Sequence, residues 1–142
     1  MPAIFEYQLR VTTDEIDGQG HVNNVSYVRW MQDAAVAHSR AQGWNSTRYQ
    51  EIGCGWVARR HTIEYLRPAY AGEEINVLTW VADMKKITSR RKYRVIRPED
   101  NAVLAVAETN WAFVNAESSL PKRIPGELRD AFQLVLPEHE PE

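Results

Sequence analysis

The stretch Asp17-Gly18-Gln19-Gly20-His21-Val22-Asn23-Asn24 holds the side chains best placed to do chemistry. A carboxylate and an imidazole stand among glycines, directly ahead of a run with helical periodicity. Glycine permits backbone conformations closed to other residues and lets a ligand come close to the main chain. The start of a helix offers amides without partners and a partial positive charge. Together these could set an acid or a nucleophile beside an oxyanion site. The plain alternative is structural: an aspartate in a glycine loop is commonly a turn residue. Asn23 and Asn24 suit a helix cap under either reading.

Other reactive side chains carry less. Cys54 lies between Gly53 and Gly55, but no base is paired with it in the pattern. His38 falls opposite the polar side of the helix that follows the loop, as a satisfied buried histidine would. The four histidines, His21, His38, His61 and His139, show no ligand-like spacing with carboxylates, so no metal is expected. Cations cluster at Arg59 and Arg60, at Lys85 and Lys86, and through Arg90, Arg91, Lys92 and Arg94. Such residues keep a strand face soluble, and they are also the natural partners of phosphate. Arg91 shares a strand face with Ile87, Tyr93 and Val95, which sets it apart from a purely solubilising charge.

The elements that must position these residues follow from periodicity. Phe5, Tyr7, Leu9 and Val11 alternate with polar residues, which predicts a half-buried strand over 4–12. From Asn24 to Gln42 the period becomes helical. Ser26, Arg29, Asp33 and Arg40 mark one polar side, and apolar residues occupy the remaining circumference, so this helix is expected to be wrapped on most sides. A shorter helix is expected over 47–51. Strands are expected over 56–66, 74–83, 86–97 and 102–115, the last with small residues that let a helix pack close. Short connections predict antiparallel hairpins. A terminal helix is expected over 125–134, with residues 137–142 frayed. One long helix must then cover a whole sheet, so the simplest α+β solution curls about five antiparallel strands around it and leaves an edge strand for a second subunit.

Composition narrows the classes. A chain of 142 residues suits one domain, and a chain of that size buries roughly two-thirds of its unfolded surface. Its net charge of −2 gives no reason to expect nucleic acid or an anionic membrane. No apolar run approaches the roughly 20 residues that cross a bilayer. One cysteine excludes an internal disulfide. The first ten residues lack the basic start and apolar stretch of a signal peptide, so a cytoplasmic protein is expected.

The run from Asp17 to Tyr27 resembles the Asp-x-x-Gly-His-Val-Asn-Asn-x-x-Tyr signature of the 4-hydroxybenzoyl-CoA thioesterase-like acyl-CoA hydrolases of the hotdog superfamily. It is also similar to the matching stretch of plant acyl-ACP thioesterases, except that Gln19 stands where that branch has asparagine. The likeness continues along the chain to Trp111 and to Pro121-x-x-Ile124-Pro125. It implies one hotdog domain over 1–142 that hydrolyses acyl-CoA to a free acid and coenzyme A. Asp17 matches the catalytic carboxylate, as nucleophile or as general base toward water. Asn24 matches the helix start that polarises the thioester carbonyl, and His21 a histidine used by the acyl-ACP branch. A homodimer or homotetramer is implied. Coenzyme A enters only as part of the substrate, with Arg59, Arg60, Lys86 and Arg91 as candidates to hold its phosphates. Two other readings remain open: an acyl-ACP hydrolase and a non-catalytic binder of acyl thioesters.

Overall fold

The computed structural model describes residues 3–141. Strands β1 (Phe5–Arg10), β2 (Cys54–Tyr65), β3 (Glu74–Met84), β4 (Thr88–Arg97) and β5 (Ala102–Asn115) form one antiparallel sheet in the order β1-β3-β4-β5-β2. The helices are α1 (Asn24–Ala41), α2 (Ser46–Ile52) and α3 (Gly126–Asp130), joined by 3₁₀ turns at Thr13–Glu15 and Pro137–His139. This is the α+β hotdog arrangement. Every strand expected from alternation is present, with no end more than two residues from its expected place.

The core forms where the two periodicities meet. Along α1, Tyr27, Trp30, Met31, Ala34, Ala35 and His38 recur at helical spacing and are buried. They pack on the inward face of the sheet, where Ile75 and Val77 of β3 alternate with residues that point away, as do Tyr93 and Val95 of β4. Ala102 and Ala105 of β5 belong to the same buried cluster, while α1 comes closest to β3 and β1. A second cluster, around Trp44, Val81, Phe113, Leu128 and Phe132, closes the other end of the sheet.

Three expectations need correction. First, β2 and β3 do not form a hairpin: β2 pairs with β5, Tyr65 opposite Ala105, while β3 pairs with β1. Three strand spacings separate β2 from β3, about 14 Å, and the connecting residues 66–73 can span nearly twice that. The connector crosses the end of the sheet, where the amides of Leu66 and Arg67 donate to the Leu104 carbonyl and Ala69 accepts from Val22. Second, α1 is covered on one face only, since Val25 and Val36 are 71% and 56% exposed. Third, α3 stops at Asp130, because the chain turns there to bury Phe132 and Val135. The described end of the chain lies against the sheet. The Glu140 carboxylate accepts from Lys92 Nζ at 2.8 Å and from Trp80 Nε1 at 3.2 Å, which covers the outer face of the sheet. Residue 142 lies outside the described part. No helix among the described residues is long and apolar enough to cross a membrane.

Candidate active site

The Asp17 loop is a narrow reversal. Ile16 and Val22 bridge its base, and the Asp17 amide donates to the His21 carbonyl at 2.7 Å. Gly20 turns the chain with φ +85°, a conformation that suits glycine. Asp17 Oδ1 accepts from the amides of Gln19 at 2.9 Å and His21 at 3.2 Å. These bonds orient the carboxylate, and Oδ2 has no hydrogen-bond partner among the described residues. Asp17 is exposed in the isolated chain.

Glu15 and Asn23 fasten this loop to the helix. The Glu15 carboxylate, 8% exposed, accepts from the Thr12 amide and from Trp30 Nε1 at 2.9 Å. Asn23 caps α1: its Oδ1 accepts from the Ser26 amide at 2.9 Å, and its Nδ2 donates to the Glu15 carbonyl at 3.0 Å. The cap serves Ser26, so the amides of Asn24 and Val25 have no intrahelical acceptor. With the helix dipole behind them, these amides carry a partial positive charge.

Asp17, His21 and Asn24 line one open cleft of about 420 Å³, together with Tyr27, Tyr65 and Arg67. Its far wall is the end of β2 and the start of the crossover connector. The Tyr65 hydroxyl donates to the Asn24 carbonyl at 3.2 Å, and the Tyr65 ring stands edge-on to Tyr27. Burial raises the pKa of both phenols, so they remain protonated donors. His21 packs edge-on against Tyr70, with ring centroids 5.4 Å apart. Sequence reasoning missed Tyr65 and Arg67, which read only as a strand end before Pro68. The available signal was the aromatic and basic pair itself at the point where β2 runs out.

The expected phosphate-binding cations are not gathered at this cleft. Arg59 and Arg60 are exposed on the edge strand β2, Arg59 at a register shift between Ala58 and Arg60. Lys86 is exposed in the β3–β4 turn, at the opposite end of the sheet from Asp17. Arg91 is a correction: it is 6% exposed, and its Nη1 donates to Thr79 Oγ1 at 3.0 Å and to His38 Nδ1 at 2.9 Å. The inward face that it shares with Tyr93 and Val95 carries it into the interior, away from any surface phosphate. His38 is buried as expected but only half satisfied: Nδ1 accepts from Arg91 while Nε2 has no hydrogen-bond partner among the described residues, and burial followed by the Arg91 charge lowers its pKa to about 3. Cys54 is buried with its Sγ on the Ile52 carbonyl at 3.5 Å, and no base adjoins it. Among the described residues no group of three or more His, Cys, Asp or Glu side chains could hold a metal.

The class of protein follows from comparison with known proteins. The chain belongs to the thioesterase-like superfamily, whose family model matches residues 11–132. It is a thioester hydrolase. A curated relative, the acyl-CoA thioester hydrolase YbgC of Escherichia coli, is 23% identical over 130 residues, covering 92% of this chain and 96% of that protein. Among solved structures, a 1,4-dihydroxy-2-naphthoyl-CoA thioesterase from Synechocystis superposes with a TM-score of 0.83 at 17% identity, over 90% of this chain and 94% of that one. A Staphylococcus aureus protein solved in complex with CoA superposes with a TM-score of 0.84 at 15% identity, over 90% of this chain and 80% of that one.

Proposed function

We propose that the protein hydrolyses acyl-CoA esters to free acids and CoA, with Asp17 as the catalytic carboxylate and the α1 start as the oxyanion site. One observation carries this reading: Asp17 Oδ1 is held by two amides while Oδ2 has no partner among the described residues, in a cleft that Asn24 at the start of α1 also lines. The thioester carbonyl sits against the Asn24 amide. Asp17 either attacks it or takes a proton from the water that does. A thiol of pKa about 8.5 leaves as thiolate without strong general acid help, so nucleophile delivery and oxyanion stabilisation are the two tasks to perform. His21 positions the acyl group or the water beside Asp17. Arg67 is the cation closest to hand for the CoA phosphates, since it lines the cleft and has no ion-pair partner among the described residues. The name of YbgC and the CoA complex of the Staphylococcus aureus relative support CoA as the thiol carrier.

The working unit is a homo-oligomer. The outer edge of β2 has no strand beside it, and Val25, Val36 and Val57 leave apolar surface exposed. Pairing of two β2 edges satisfies those backbone groups and closes the flanks of α1.

Thiol release from a panel of acyl-CoAs, measured for wild type and Asp17→Asn, tests the catalytic assignment. The expected result is hydrolysis of at least one ester, with kcat down at least about 100-fold in the variant while its circular dichroism is unchanged. Robust hydrolysis by the variant overturns the role of Asp17.

A further inference from the structure

A second cavity, of about 390 Å³, lies between the C-terminal half of α1, α2 and the sheet. The rise of α1 from Asn24 to Ser39 puts it roughly 20 Å from the Asp17 cleft of the same chain. Five aromatic side chains form its walls: Trp44, Tyr49, Trp56, Trp111 and Phe132. No aspartate or glutamate lines it, but Arg91 does, and Arg40 stands exposed at the rim.

Arg91 is the anomaly. Buried guanidinium groups are ordinarily paired with a carboxylate, because a charge removed from water is costly without one. Here no acidic group comes within ion-pair distance among the described residues. Nη1 is used by Thr79 and by neutral His38, while Nε and Nη2 have no hydrogen-bond partner. The Phe132 ring, with its centroid 5.8 Å from the guanidinium carbon, is a weak substitute. Burial lowers the Arg91 pKa, yet an arginine retains its charge in proteins. An aromatic chamber whose one deep charge is an unpaired cation, with Trp111, whose Nε1 is buried without a partner among the described residues, also in its wall, is complementary to an apolar body ending in an anion.

We propose that this cavity binds the carboxylate of a small apolar or aromatic acid, with the free edge of the Arg91 guanidinium as its counter-ion. Such a carboxylate has two sources: a free acid, or the distal end of an acyl group whose thioester lies in the Asp17 cleft of a second subunit, since a six-carbon chain is far too short to reach from the cleft of the same chain. The second source rests on the hydrolase reading above, the first does not.

Binding is followed by the fluorescence of the tryptophans that line the cavity, with 4-phenylbutanoate and its neutral amide as probes on the full-length protein. The acid is expected to bind saturably and at least tenfold more tightly than the amide. Arg91→Met, which fills similar volume, is expected to abolish that difference, and Arg40→Gln to retain it. Equal binding of acid and amide, no saturable binding of either, or loss of the preference in Arg40→Gln overturns the proposal. The wild-type comparison and the surface variant decide the matter even where Arg91→Met fails to fold. A second arm compares kcat/KM for adipoyl-CoA and hexanoyl-CoA. A preference of tenfold or more for adipoyl-CoA that disappears in Arg91→Met identifies the substrate's distal carboxylate as the ligand. Equal rates with intact 4-phenylbutanoate binding identify a free acid. Absence of all hydrolysis removes the catalytic reading and leaves the binding result standing on its own.

Discussion

Acidification should weaken this fold through His38 in particular. Its imidazole is 2% exposed, stacked on Phe5 at 5.1 Å and edge-on to Phe132 at 5.2 Å, and it accepts a hydrogen bond from Arg91. Protonation would turn that acceptor into a second buried cation beside the first. The folded protein therefore holds His38 neutral down to about pH 3, whereas the unfolded chain takes the proton near the ordinary value of 6.5. A folded pKa below the unfolded one means stability that is complete above pH 6.5 and lost as pH falls toward 3. Full protonation corresponds to roughly 5 kcal/mol, of which about 2 kcal/mol falls between pH 7 and pH 5. Urea unfolding at these two pH values, at constant ionic strength, measures the loss in wild type and in His38→Gln, which keeps an acceptor and does not titrate. The variant starts less stable at pH 7 but should lose about 2 kcal/mol less over the interval. Parallel losses in the two proteins would refute the assignment of this acid sensitivity to His38.

Three further outcomes are expected. Glu15→Ala strands Trp30 Nε1 and releases the Asp17 loop, so unfolding should occur with about 2–3 kcal/mol less stability, read as a Tm lower by several degrees. Asn23→Ala removes the α1 cap at a cost of about 1–2 kcal/mol. If the helix start serves the oxyanion, steady-state kinetics of that variant will show kcat falling more than KM rises. Wild type should run as a dimer or larger by light scattering after size exclusion. Val36→Asp combined with Val57→Asp, which charges the exposed apolar surface of α1 and β2, should shift it toward monomer.

The sequence made faces legible and left partners obscure. Alternation in Ile75, Val77 and Thr79 correctly marks the inward side of β3, but the small residues of β5 do not mark where the helix comes nearest, since α1 approaches β3 and β1 most closely. Alternation cannot say which strand lies beside which, so β2 was paired with β3 when the reach of residues 66–73 allowed a crossover to the far edge. The same limit hid the wall of the cleft: Tyr65 and Arg67 meet Asp17 only because of that crossover. Arg91 was legible as unusual from the face that it shares with Tyr93 and Val95. Its destination was not, because side-chain period tells inside from outside only once the sheet has a covered side. The apolar circumference of α1 was read as a wrapping by its own sheet, whereas Val25 and Val36 stay bare in one chain.

The crossover also dictates an order of events during synthesis. Asp17 and α1 emerge early, but the wall opposite them is held by bonds from Leu66 and Arg67 to Leu104, and by Tyr65 lying opposite Ala105. Those contacts close a loop of about forty residues, the kind of non-local pairing that folds late. Until β5 has left the ribosome, the nascent chain carries a carboxylate loop and a helix start with nothing facing them. The proposed cleft is thus incomplete until about four-fifths of the chain exists, β5 ending at Asn115 of 142 residues, and a fragment ending before β5 would keep the signature residues without a cleft for them to serve.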